Sequence, residues 1–465
     1  MNPSSILLRW AALCCLLRWA ALCCLLLTPP SMGAAEQPNL VFIIADDLGW
    51  ADVEFHGGNT PTPNLNRLLA EGVELKQHYV APVCSPTRAG FLTGRYWSRF
   101  GITTPINNRG LPLETVTVAK ALSDAGYATA LIGKWHLGSK PEWGPNHFGF
   151  DHSYGSLAGG VAPYNHHYKK GPYSSTWHRN QKLFTEKGHV TDLLTDEAVQ
   201  WIKNQTTPTA TRPFFLYLPY TAVHLPIREP EEWMNQVPTE IKGEVPRQYA
   251  ACIMHFDAAV GRIVEAIDQA GQRDNTLIVF TSDNGGSTAE NNDTKYPDDQ
   301  CPNGKLTGNN LPLRGKKGTL YEGGIRVPTV ARWPGKITPD TAYEFPACVI
   351  DWMPTFCALA NAKADADTLK WDGLNLWPSL TGAAPPAKRS FHIAGTRNSW
   401  ALRSADWKLI LTQPKKGDSK IELFNLGTDP NETTNLAEAK PKIVDELRAT
   451  MEQQRQHDLT SRGGL

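Results

Sequence analysis

Residues Asn39-Leu40-Val41-Phe42-Ile43-Ile44-Ala45-Asp46-Asp47 form an apolar run that ends abruptly in two carboxylates. Such a run is too short for a free-standing helix, and its continuous apolarity reads as a strand buried on both faces. Three further runs share the plan. Ala128–Ile132 precedes Lys134 and His136, Phe214–Leu218 leads through Pro219 to His224, and Leu277–Thr281 precedes Asp283 and Asn284. Helical patterns lie between them, so the expected fold is α/β, a mostly parallel sheet flanked by helices. Ligands in open α/β sheets bind beyond the carboxyl ends of the strands. The four polar clusters are therefore expected to converge on one site.

Tyr249, Cys252, Ile253, Phe256, Val260, Ile263, Val264 and Ile267 share one face of an amphipathic helix that ends near Gly271. The texture changes after Gly382. Pro385-Pro386 reads as a linker, and Trp400–Leu402, Trp407–Leu411 and Ile421–Phe424 read as short antiparallel strands before a helix over Lys440–Gln454. The expected organisation is a leader over 1–35, a catalytic α/β domain over 36–380 and a smaller C-terminal α+β subdomain over 381–465.

The leader repeats itself, since Leu7–Cys15 (LLRWAALCC) recurs letter for letter at Leu16–Cys24. Arg9 and Arg18 interrupt any membrane span, and Gly33-Ala34-Ala35 offers small residues for cleavage before Glu36. The pattern predicts an exported protein with no stable membrane insertion after cleavage, an uncleaved amphipathic anchor being the alternative. Across 465 residues, 46 Lys+Arg balance 46 Asp+Glu, which removes the basic footprint of a nucleic-acid binder. Asn204-Gln205-Thr206, Asn292-Asp293-Thr294 and Asn431-Glu432-Thr433 are glycosylation acceptors at a frequency that composition alone explains. Of nine cysteines, four lie in the leader, leaving Cys84, Cys252, Cys301, Cys348 and Cys357. An odd number cannot pair completely, and at most one bridge is expected.

Between the first two strands stands Val83-Cys84-Ser85-Pro86-Thr87-Arg88-Ala89-Gly90-Phe91-Leu92-Thr93-Gly94, a Cys-x-Pro-x-Arg motif extended on both sides. Gly126–Gly138 reads GYATALIGKWHLG, Asp283–Gly286 reads DNGG, and Lys317–Gly324 reads KGTLYEGG. With these motifs in this order the chain resembles the type I sulfatases of the alkaline-phosphatase-like superfamily over essentially its whole mature length. Within them it is similar to arylsulfatases and the N-acetylgalactosamine 4-sulfatase type.

That resemblance implies a fold, an activity and a set of roles. Cys84 would be oxidised by a formylglycine-generating enzyme to formylglycine (3-oxoalanine). One hydroxyl of the hydrated aldehyde would attack sulfur to give a covalent sulfo-enzyme, and the second would expel sulfate. Arg88 would hold the diol. His136 would assist removal of the second diol proton, and as the member two residues beyond Lys134 on an extended segment it is expected to point to the same side as that lysine. His224 would protonate the leaving oxygen, its pKa raised by a neighbouring negative charge. Lys134 and Lys317 would bind sulfate oxygens.

Asp46, Asp47, Asp283 and Asn284, with the oxidised Cys84, form an oxygen-only set that suits Ca²⁺, with Mg²⁺ second, better than zinc. Asn165 and His166, within the polar aromatic run Tyr164–Tyr168, are expected to bind substrate, an ordinary surface loop being the other reading. Trp50, His56 and Arg109 have weaker support. The expected substrate is a sulfated carbohydrate or an aryl sulfate. The alternatives are a phosphate or phosphonate monoester hydrolase of the same superfamily, or a sulfated-glycan-binding protein that keeps Cys84 unoxidised.

Overall fold

In the computed structural model the described residues are 37–462, apart from 293–294, 298, 365–368 and 397. The expected leader, one of the glycosylation acceptors (Asn292-Asp293-Thr294) and the extreme C-terminus fall outside them wholly or in part. The run that opened the analysis is strand β1, Asn39–Ala45, and every residue in it is buried. Leu40, Phe42 and Ile44 enter the apolar core on one face of the sheet, while Val41, Ile43 and Ala45 enter the core on the other. Each of these Leu, Val, Phe and Ile side chains contributes about 1.5–3 kcal/mol by leaving water, so the two-sided burial fixes register strongly.

Nine further strands complete this sheet: β2 Val73–Leu75, β3 Ala128–Lys134, β4 His152–Ser156, β5 Trp177–Arg179, β6 Lys182–Leu183, β7 Phe214–Pro219, β8 Thr276–Ser282, β9 Val330–Arg332 and β10 Thr341–Tyr343. Their order is β10-β2-β9-β8-β1-β7-β3-β4-β5-β6. The central five, β8-β1-β7-β3-β4, run parallel, and antiparallel pairing begins outside them at β9 and β5. All four expected runs are thus neighbours, and their carboxyl ends lie along one edge of the sheet.

Helix α1, Cys84–Thr93, is buried at every position, and its Phe91 stacks on Phe42 of β1 with ring centroids 3.9 Å apart. The long helix α2, Glu244–Gln269, buries the predicted apolar face, including Cys252. A second sheet of four antiparallel strands, β11 Ser390–Ala394, β12 Ser399–Ser404, β13 Trp407–Thr412 and β14 Lys420–Asn425, is followed by helix α3, Pro441–Arg462. Strand β11 escaped the sequence reading, which named no strand between Pro386 and Trp400.

A buried ionic knot joins this sheet to the rest. Lys408 of β13 donates to Glu322 Oε1 and contacts Glu432 Oε1, both at 2.8 Å, while the Tyr79 hydroxyl donates to Glu322 Oε2 at 2.7 Å and is itself approached by Arg403. Residues from Pro38 onward make one compact unit. Among the described residues no helix is long and apolar enough to cross a membrane. Cys84, Cys252, Cys301, Cys348 and Cys357 are all free thiols and all buried.

Candidate active site

Cys84 is the first residue of α1, after Val83 in extended conformation (φ −150°, ψ 162°). The sequence around it explains its placement. Ser85 Oγ donates to the His136 carbonyl at 2.9 Å and accepts from Ile106 N–H. Thr87 Oγ1 donates to the Asp283 carbonyl at 2.6 Å and accepts from Ala81 N–H. The motif therefore ties the helix N-terminus to the ends of two strands, where the helix dipole favours negative charge. Cys84 Sγ lies 3.5 Å from Asp46 Oδ1. Burial, with Asp283 and Asp46 beside it, pushes the thiol far above the ordinary cysteine range. As a plain thiol it would be a poor nucleophile.

Asp46, Asp47, Cys84 and Asp283 are buried, and each offers a ligand atom within 4.8 Å of the others. Burial first, and then repulsion from Asp283, raises Asp46 to about 7. Burial also pushes Asp47 upward, but Lys317, His224 and the Asn284 amide outweigh it and hold that carboxyl well below the usual range. Asn284 Nδ2 donates to Asp47 Oδ1 at 2.8 Å, whereas Asn284 Oδ1 is buried without any hydrogen-bond partner. An unmet buried acceptor beside three carboxylates is costly unless a cation completes the shell. The donor set thus fits a hard divalent ion.

Three cations surround this cluster. Arg88, wholly buried, donates through Nη2 and Nε to Asp283 Oδ2 at 2.8 and 3.3 Å and through Nη1 to the Lys134 carbonyl at 2.8 Å. Its fork is therefore engaged by the neighbouring carboxylate and strand end, not by Cys84 directly. Lys134 Nζ pairs with Asp46, and Lys317 Nζ lies 2.6 and 2.8 Å from the two Asp47 oxygens. Gly133 makes the Lys134 position possible, since a Cβ there would lie 1.9 Å from the Pro219 carbonyl oxygen.

The histidines are set differently from the expectation. His136 is not on an extended segment; its φ of 58° is left-handed, as is that of Asp47 at 67°, so the alternation rule does not govern where it points. Its ring nevertheless reaches the site. Both nitrogens are buried without partners, and burial with Lys134 and Arg88 nearby lowers its pKa strongly. His224 Nε2 lies 3.8 Å from Asp47 Oδ2, and Nδ1 donates to the Leu225 carbonyl at 2.5 Å. The expected upward shift is reversed: burial and Lys317 hold His224 well below the ordinary histidine range, outweighing Asp47.

Sequence reasoning missed Gly159 and Gly160. A Cβ on Gly159 would lie 2.3 Å from His136 Nε2, and one on Gly160 would lie 3.1 Å from the Tyr296 hydroxyl and 3.2 Å from His224 Nδ1. This backbone seats both imidazoles, and no motif marks it. Gly159→Ala is expected to displace His136 and lower kcat by about 10²-fold, the usual penalty for misplacing a reacting group by an ångström. Steady-state turnover of 4-nitrophenyl sulfate checks this, and a wild-type rate would show that Gly159 does not position the ring.

His166 is turned to partners of its own, and Asn165 shapes its local turn. The His166 ring is buried, stacked on Trp177 at 4.6 Å, with Nε2 3.0 Å from the Gly188 carbonyl. Asn165 Oδ1 accepts from His167 N–H, closing its own turn. Trp50 and His56 stack on each other at 3.9 Å, with His56 on Glu74, and Arg109 is exposed.

A second group of potential ligands, His189, Glu229 and His255, lies within one ion's reach. Protons satisfy the His255 end of it, while His189 Nε2 is buried without a hydrogen-bond partner and lies 3.6 Å from Glu229 Oε1. His255 donates to Glu229 Oε2 at 2.7 Å and to Asp192 Oδ1 at 3.1 Å, and the Thr191 N–H donates to His189 Nδ1, which leaves the hydrogen of a neutral ring on Nε2. Burial lowers the His255 pKa, but Asp192 and Glu229 outweigh it and raise it to about 9. A value above the ordinary 6.5 means that this charge stabilises the fold fully below pH 6.5 and ceases to as pH rises through about 9. The contribution is on the order of 3 kcal/mol. His255→Gln should therefore lower Tm at pH 6 and by much less at pH 9.5, measured against wild type at each pH.

Oxygen donors at the ends of parallel strands, a helix N-terminus presenting one reactive side chain, and two lysines and two histidines around them define a hydrolase of anionic esters. Comparison with known proteins narrows the class. The family model described as Sulfatase matches residues 38–362, and that described as N-sulphoglucosamine sulphohydrolase, C-terminal, matches 316–457. Arylsulfatase J of Mus musculus is 31% identical over 474 residues, covering 90% of this chain and 76% of that protein. N-acetylgalactosamine-6-sulfatase of Homo sapiens is 30% identical over 89% of this chain and 84% of its own length. The crystal structure of Ps i-CgsB in complex with k-i-k-neocarrahexaose is 32% identical with a TM-score of 0.80, covering 91% of this chain and 93% of that one. The chain belongs to the sulfatase family and is an arylsulfatase-like sulfuric ester hydrolase.

Proposed function

We propose that this enzyme, exported by way of residues 1–35, removes sulfate from a sulfated carbohydrate, using Cys84 oxidised to formylglycine and a Ca²⁺ ion held by Asp46, Asp47, Asp283 and Asn284. The observation that carries the proposal is the buried Asn284 Oδ1, which lacks a partner beside three carboxylates and the side chain of Cys84. The hydrated aldehyde would supply a hydroxyl nucleophile with a built-in route for sulfate release, and the ion would polarise the sulfate and acidify that hydroxyl.

The chain's own groups do the rest. Lys134 and Lys317 exchange their carboxylate contacts for sulfate oxygens, placing two point charges where negative charge develops. Arg88 keeps the Asp283 carboxylate in place through charge-assisted hydrogen bonds. His224 faces the site through Nε2, because Nδ1 is tied to Leu225, and from there it gives a proton to the departing oxygen. The sulfate ester brings its own negative charge into the pocket and so favours the protonated ring. His136, neutral and unpartnered at both nitrogens, takes a proton from the hydroxyl that reforms the carbonyl. Cys84 is 1% exposed, so a formylglycine-generating enzyme would have to act before the chain folds. The named activity of N-acetylgalactosamine-6-sulfatase and the hexasaccharide bound to Ps i-CgsB support a sulfated sugar as substrate.

The mass of the tryptic peptide containing Cys84 tests the nucleophile: oxidation to the aldehyde removes about 18 Da from the thiol form. Turnover of 4-nitrophenyl sulfate against 4-nitrophenyl phosphate tests the chemistry. Faster turnover of the phosphate would replace the sulfatase reading with a phosphomonoesterase one.

A further inference from the structure

Two neighbouring asparagines, with no part in the chemistry above, tie the catalytic segments together. Asn310 is buried, and its side-chain amide closes a pair of hydrogen bonds with one residue: Gly286 N–H donates to Oδ1 at 2.7 Å, and Nδ2 donates to the Gly286 carbonyl at 3.2 Å. Gly286 is the second residue after Asn284, and its carbonyl also accepts the Lys317 N–H at 3.2 Å. The next amide along, Gly318 N–H, donates to the Pro82 carbonyl at 2.8 Å. Lys317 is thus suspended between two backbone points, and Asn310 fixes one of them. Asn309 fastens the opposite side. Its N–H donates to Asp52 Oδ1 at 2.9 Å, its carbonyl accepts from Ala51 N–H at 2.8 Å, and Asp52 Oδ2 holds the Gly49 N–H at 2.7 Å. Gly49 is the second residue after Asp47. The pair therefore joins the segment after β8, which carries Asp283 and Asn284, to the segment after β1, which carries Asp47, the carboxylate that Lys317 Nζ meets at 2.6 and 2.8 Å.

The N–H and C=O of one residue ask for an acceptor and a donor side by side, and a carboxamide supplies both on one planar group. Alanine at position 310 would leave the buried Gly286 N–H without its acceptor and release the carbonyl that seats Lys317. The Gly286 anchor of Lys317 would then be free to shift, while the Pro82 anchor stays. A shift of this kind, far smaller than an unfolding event, is enough to misplace a group that must meet its ligand at hydrogen-bond distance. We infer that Asn310 is a positioning residue for sulfate: it holds Lys317 where its ammonium meets a sulfate oxygen, while Asn309 fixes the Asp47 side of the same contact. The inference rests on the reading that Lys317 binds sulfate, and its test separates the two.

The experiment is a double-mutant cycle on the full chain in calcium-containing buffer. Asn310→Ala, Lys317→Ala and the double variant are titrated calorimetrically with inorganic sulfate and assayed for kcat and KM on 4-nitrophenyl sulfate. Lys317→Ala is expected to weaken sulfate binding by about tenfold or more, the effect of one charge-assisted hydrogen bond. Asn310→Ala alone should weaken it by about fivefold, with KM raised more than kcat is lowered, but by less than about twofold once Lys317 is gone, because residues that act through one contact are not additive. Asn310→Asp, which keeps an acceptor for the Gly286 N–H, should recover part of the loss, and it carries the same cycle if the alanine variant melts below the assay temperature. An equal loss in both backgrounds, or none in either, would overturn the inference, since an effect that ignores Lys317 is structural only. Loss of calcium from Asn310→Ala, read by elemental mass spectrometry, would overturn it as well by placing the effect at the ion and not at the lysine. Sulfate binding that Lys317→Ala leaves unchanged would instead reject the role of Lys317 itself, and this inference with it.

Discussion

Asp283→Ala is expected to lower turnover of 4-nitrophenyl sulfate by at least about 10³-fold, to abolish bound calcium, and to lower Tm as well. The activity loss follows from removing one of three carboxylates that would hold the proposed ion, whose charge stabilisation would amount to several kcal/mol. The stability loss has a separate origin. Arg88 is fully buried and donates to Asp283 Oδ2 through two nitrogens, so the alanine variant strands a guanidinium in the core. Breaking a buried pair from one side costs about 3–5 kcal/mol. Asp283→Asn should recover part of the stability, because an amide oxygen still accepts from Arg88, but little of the activity. Turnover with and without a chelator, calcium content by elemental mass spectrometry and thermal melts separate the three effects. A variant that keeps both calcium and wild-type rates would remove Asp283 from the site.

His224→Ala should discriminate between substrates. A sugar alkoxide is a poor leaving group and needs a proton as it departs, whereas nitrophenolate does not. Loss of a general acid typically costs 10²–10⁴-fold, so about that loss is expected on a sulfated saccharide and about tenfold or less on 4-nitrophenyl sulfate. Equal losses on both would show that His224 binds sulfate and does not deliver the proton. The comparison bears directly on a point that the structure alone reverses, namely that burial and Lys317 hold this ring neutral before a ligand arrives. In the proposed role, the proton would arrive together with the substrate's negative charge.

Much of this site was legible along the chain, and the reasons differ by residue. Asp46, Asp47, Asp283 and Asn284 stand out because polar groups directly after an apolar run have to lie at a strand end, and β1 and β8 are neighbours in the sheet. Cys84 and Arg88 stand out through the resemblance that their motif carries, and the structure shows two residues between them tied down, Ser85 to the His136 carbonyl and Thr87 to the Asp283 carbonyl. The small C-terminal sheet was visible in its alternating strands, all but β11. By contrast, His136 was read as extended and is left-handed, a conformation imposed by its surroundings.

The boundary between the two kinds of knowledge follows from range. Hydrophobic run length and strand-end chemistry act over a few residues, and by themselves they pointed to the α/β fold and to oxygen donors gathered at strand ends, while the role expected of Cys84 came from the resemblance its motif carries. The tertiary structure alone decided which side chains of a loop turn inward. His166 is taken by Trp177 and Gly188, Tyr168 meets Tyr296 edge to face, and Gly159 and Gly160 press against His136 and His224. Each of those outcomes depends on a partner that no local spacing encodes, because loops acquire their orientation from packing against distant elements and not from a period of their own.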